Sequence, residues 1–169
     1  MEEELPKAKK VEEESKPIDS KQVEDWIRQI GEKVAKTGFP ICPYVKKSIQ
    51  QKSIQIQPAR HNVLDQCLQY CDLFGTLGLD AVVIYFNYPI SEKKLSNLAR
   101  RVHKLRSHFA VLYDHPKNKG LHKGIQFSFQ KAPLLIMQEY RKLKNAQTQL
   151  KKTDYYRAWG LEDDQDMFI

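Results

Sequence analysis

The sequence predicts an α/β fold: a single three-layer domain over residues 20–153, with a mainly parallel sheet flanked by helices. Three observations carry that expectation. Ala81-Val-Val-Ile-Tyr-Phe86 is a continuous apolar run with β-branched residues, the pattern of a strand covered on both faces. Segments with helical periodicity precede and follow it. Strands that alternate with helices build βαβ units, whose strands run parallel.

Taken in order, residues 1–19 (MEEELPKAKKVEEESKPID) offer almost nothing to bury and read as a disordered acidic tail. Asp19 or Ser20 caps a first helix, about 21–36, in which Trp26, Ile30 and Val34 recur every four residues beside Val23 and Ile27. Thr37-Gly38 ends it, and a proline-bracketed turn leads to a short helix at 43–50. Ile54 and Ile56 alternate with polar residues in a half-buried strand. Asn62 caps a helix carrying Leu64, Cys67, Leu68, Cys71 and Phe74, which stops near Gly75 and Gly78.

After the apolar run, Ser91 caps a helix over about 92–107. Leu95, Leu98, Val102 and Leu105 fall on one side of it, and Lys93, Lys94, Arg100, Arg101 and Lys104 on the other. Phe109–Tyr113 reads as a second buried strand, and Ile125, Phe127 and Phe129 alternate in a third. Pro133 suits the first turn of a last long helix, to about Lys152. Residues 154–169 form an acidic C-terminal tail.

Charge is segregated along the chain. The whole protein is +7, yet residues 1–19 carry −3 and residues 154–169 carry −4. The middle therefore holds 23 basic against 9 acidic residues, or +14, and should attract polyanions. No apolar run approaches the ~20 residues of a membrane span, so no membrane partner is expected. The acidic N-terminus lacks the apolar stretch of a secretory signal. Three cysteines, an odd number without regular spacing, fit a cytoplasmic protein.

In open α/β sheets, ligands bind beyond the carboxyl ends of the strands. The first buried strand runs into Asn87-Tyr88-Pro89 and the second into Asp114-His115-Pro116. His115 has the chemistry of a base or proton shuttle, with Asp114 to orient it. The same tripeptide also reads as a plain turn leaving a strand. Cys42 precedes the short helix and has Lys46 and Lys47 nearby, which would lower its thiol pKa; as a packing residue it needs neither. Cys67 and Cys71 read as core. His103, His108, His115 and His122 show no recognised metal-ligand spacing. No Gly-rich phosphate loop of a standard pattern occurs. No cofactor and no metal are expected.

Cys42-Pro-Tyr-Val-Lys-Lys47 resembles the glutaredoxin run Cys-Pro-Tyr-Cys, with Val45 where the resolving cysteine stands. A wider resemblance covers residues 24–145. Trp26, Ile41-Cys42-Pro43-Tyr44 and Pro133-Leu134-Leu135 are similar, in order, to an uncharacterised bacterial family with a Trp helix followed by Leu-Cys-Pro-Phe-Ala. That resemblance implies a shared α/β fold and brings no activity. The end of the chain resembles the acidic tips of single-stranded DNA-binding proteins, which dock into partners.

The basic residues lie in three stretches. They are the Lys93–Lys104 helix face, the loop with Lys117, Lys119 and Lys123, and the last helix with Arg141, Lys142 and Lys144. If they converge, they neutralise several phosphates, and Tyr113, Tyr155 and Tyr156 are candidates to stack on bases. The functional expectation is a non-enzymatic cytosolic protein whose basic face engages nucleic acid or another polyanion, moderated by acidic tails. A protein partner through residues 162–169 is also expected. One alternative is a small thiol- or His-dependent enzyme with a cleft at Cys42, Asn87, Asp114 and His115. Another is an assembly subunit of a larger complex.

Overall fold

The computed structural model describes residues 16–161, which run in order α1 (Ser20–Ile30), α2 (Val45–Gln50), β1 (Ile54–Pro58), α3 (Val63–Leu77), β2 (Ala81–Tyr85), α4 (Glu92–Leu105), β3 (Phe109–Asp114), β4 (Leu121–His122), β5 (Ile125–Gln126), β6 (Leu134–Glu139), α5 (Tyr140–Lys151) and α6 (Tyr155–Trp159). Four strands form one sheet in the order β1-β2-β6-β3, and β4-β5 is a separate small ribbon.

Successive side chains of a strand face opposite ways, and β2 buries both sets. Val82 and Ile84 join the core under α3 and α4, whereas Val83 and Tyr85 join the core under α1. That double burial is why β2 reads as an unbroken apolar run. Helices on both faces make the fold α/β.

The sheet is mixed rather than mainly parallel. β1 and β2 pair parallel, but β6 pairs antiparallel with both β2 and β3. The three strands legible as βαβ units do run in one direction, and β6 inserts against them. Residues 134–139, expected as the start of a long helix, form this inner strand. Leu135 and Met137 fill the α3/α4 side, and Leu134 and Ile136 the α1 side. An apolar run buried on both faces has no period of two to distinguish it from a helix.

Two further boundaries differ from expectation. The first helix stops at Ile30 instead of continuing to 36. A Cβ on Gly31 would lie 2.9 Å from Val45 Cγ1, so this glycine permits the close approach of α2. The Cys42 N–H then donates to the Ile30 carbonyl at 2.8 Å, bringing the Cys-Pro turn back against the end of α1. The expected strand at 125–129 is reduced to the two residues of β5, while Phe129 is buried in the core under α1.

α4 follows its sequence except at its end, where Leu105, expected on the apolar side, is exposed. Ser91 Oγ accepts from the Lys94 N–H at 3.2 Å, and Leu95, Leu98, Ala99 and Val102 are buried. Full burial of a side chain such as Leu95 is worth ~1.5–3 kcal/mol. A third core closes the C-terminal end of the described chain. Tyr155, Tyr156, Trp159 and Leu161 pack with Ile41 and Leu150, and the Tyr155 hydroxyl donates to the Ile41 carbonyl.

Candidate functional site

Amphipathic α4 buries one side and therefore turns its cations outward. At about 100° per residue, Lys93, Lys94, Arg100, Arg101 and Lys104 fall within roughly a 120° arc opposite the buried stripe. All five are exposed, and none forms an ion pair among the described residues. Arg100 only contacts Ser96 Oγ, at 3.4 Å. From Lys93 to Lys104 the helix rises about 16 Å, over which one strand of a duplex presents about five phosphates.

The other basic residues divide differently. Lys117 is exposed in the turn after β3. That turn is tied to the approach to α4, because the two ring nitrogens of His115 meet the Ile90 carbonyl (2.9 Å) and the Lys117 N–H (3.2 Å). Lys119 borders a cavity on the other side of the sheet. Lys123 Nζ donates to the Ala158 carbonyl at 3.1 Å, beside α6. Arg141 is exposed at the start of α5. Lys142 Nζ donates to the Leu79 carbonyl (3.3 Å) and lies 3.8 Å from Asp80 Oδ1. Lys144 Nζ stands 5.3 Å from the Tyr140 ring centroid. Thus α4 carries five cations without ion pairs among the described residues, Lys117, Lys119 and Arg141 are exposed elsewhere, and Lys123, Lys142 and Lys144 are engaged within the protein.

Of the aromatics, Tyr155 and Tyr156 are buried and withdrawn from stacking, whereas Tyr113 is exposed. Residues 1–15 and 162–169, including the expected docking segment, lie outside the described residues.

A cavity of ≈ 640 Å³ opens on the α1 side of the sheet. Both Cys42 and Asp114 border it, but Asn87 and His115 do not. Asn87 Oδ1 instead accepts from the Ile18 N–H at 2.8 Å, fixing the chain that enters α1. Burial pushes the Cys42 thiol up to about 11, against the pull of the Tyr44 and Val45 N–H groups. Burial likewise raises Asp114 above the ordinary carboxylate range, opposed by the Phe129 N–H at 2.8 Å and by His115. The cysteines read as core are core: burial holds Cys67 and Cys71 at about 12.

The cavity also has polar residues that the sequence reading passed over. Asp80 Oδ2 accepts from Ser48 Oγ at 2.8 Å and from Ser53 Oγ at 2.5 Å. Gln138 projects from β6 on the same face as Leu134 and Ile136. Its signal in the sequence is a single amide closing the run Leu134–Met137. Among the described residues, no three His, Cys, Asp or Glu side chains gather as metal ligands, and no helix is long and apolar enough to cross a membrane. Compared with known proteins, the chain matches no family model, no curated protein and no solved structure.

Proposed function

We propose that this chain is a non-enzymatic binding protein whose α4 face engages the phosphate backbone of nucleic acid. The observation that carries the reading is the outward arc of Lys93, Lys94, Arg100, Arg101 and Lys104, uncompensated by any described acid. Cations on a convex helix with no aromatic among them favour phosphates over base edges, so binding should depend little on base sequence. The acidic stretches at 1–19 and 162–169 compete for the same face and moderate it. A cytoplasmic setting accords with three cysteines that no disulfide joins.

Fluorescence anisotropy with labelled oligonucleotides tests this reading. Arg100→Glu, Arg101→Glu and Lys104→Glu together should abolish binding, and a chain ending at Leu161 should bind more tightly than the full chain. Unchanged affinity in the triple variant would sink the proposal.

An enzyme reading draws on one observation, that Cys42 and Asp114 border a common cavity. Against it stand the raised Cys42 thiol and the commitment of both His115 nitrogens to backbone.

A further inference from the structure

The α1 side of the sheet is filled unevenly. Over β1 and β2, Val23, Ile27 and Val45 pack onto Ile54, Ile56, Val83 and Tyr85. Over β6 and β3, Ile136 and Leu112 remain half-buried and border the ≈ 640 Å³ cavity. Trp26, Ile30, Tyr44 and Phe127 border it from the overlying layer, and Trp26 Nε1 donates to the Phe127 carbonyl at 3.1 Å. Enclosures of about 300–1,000 Å³, mainly apolar with a few placed polar groups, are the usual form of small-molecule sites.

Among the polar groups in this lining, Gln138 stands apart. It lies on an inner strand, on the face where Leu134 and Ile136 are apolar, and its Oε1 is shielded from solvent with no hydrogen-bond partner among the described residues. Such a group is costly unless a donor meets it. Gln138 borders this cavity and a neighbouring one of ≈ 220 Å³. The terminal amide torsion is soft, so Oε1 can turn to meet a donor that enters either space. Charge narrows the occupant. Asp80 and Asp114 border the cavity against one cation, Lys119, so an anion is disfavoured. Asp80 already accepts from Ser48 and Ser53 and Asp114 from the Phe129 N–H, whereas Gln138 Oε1 has no donor among the described residues.

We propose that this cavity binds a non-anionic, mainly apolar compound whose hydroxyl or amine hydrogen is donated to Gln138 Oε1. The site is separate from the α4 face and selects a different chemistry.

NMR titration of the full chain with 2-naphthol and with 2-methoxynaphthalene tests it. The two probes share a ring system, and only the first carries a donor. 2-Naphthol should shift the Trp26 indole N–H and the Gln138 side-chain amide signals, and bind up to about tenfold more tightly than its methyl ether, the range of one net hydrogen bond. Gln138→Leu should retain the ether and lose that preference. Leu112→Trp should fill the cavity and exclude both probes; if it fails to fold, the wild-type signal shifts decide. Absence of those shifts at millimolar 2-naphthol, equal affinities for the two probes, or a preference that survives Gln138→Leu would each overturn the proposal.

Discussion

Cys42 receives the Tyr44 and Val45 N–H groups at the start of α2, an arrangement that lowers a thiol pKa, yet burial raises it to about 11. At neutral pH its alkylation should run about a hundredfold or more slower than that of an exposed cysteine, because the thiolate is the nucleophile. A rate profile with its midpoint near the ordinary 9.0 would contradict this. The same shift bears on stability. A thiol whose pKa is raised by folding keeps its proton longer in the native state, so its contribution is intact below the ordinary value of 9.0 and lost as pH rises toward 11. Cys67 and Cys71, at about 12, extend the decline. Urea midpoints should therefore fall from pH 8 to pH 10.5, and a flat profile would count against the assignment.

α4 separates packing from charge. Leu95 is fully buried, so Leu95→Ala should cost ~2–5 kcal/mol in urea denaturation. Lys94→Ala should stay within ~0.5 kcal/mol, since an exposed cation carries little of the fold. Equal costs would mean that the helix is not seated as described. This element was legible in the sequence because its two sides differ in kind, and both its cap and its exposed cations follow from that reading. β6 was not, because a strand buried on both faces shows no alternation, and Pro133 suits a helix start as well. Missing β6 turned a mixed sheet into a parallel one. The cavity followed the same division. Cys42 and Asp114 stood out as reactive types next to a turn and a strand end. Gln138 and Asp80 became visible only once β6 placed the first beside α2, and Ser48 of α2 and Ser53 before β1 bonded to the second.

Across the molecule, the end of the described chain is tied to its beginning. α6 brings Trp159 and Tyr155 against Ile41, and Tyr44 Oη donates to the Ala146 carbonyl of α5 at 3.0 Å. Trp159→Ala should cost ~3–5 kcal/mol, and a chain ending at Lys152 should lose this core as well. For that reason the acidic tail is best removed after Leu161. Lys123 is drawn to the α6 side, apart from the α4 cations. Binding should therefore rest on about five phosphate contacts from α4. The most direct test is the salt dependence of oligonucleotide affinity. Five such contacts give a slope of log K against log salt of about −3.5 for single strands, roughly −0.7 per contact, falling toward −1.5 in the Arg100→Glu, Arg101→Glu, Lys104→Glu variant if any binding survives. A slope near zero, or no binding by the wild-type chain at low salt, would contradict it.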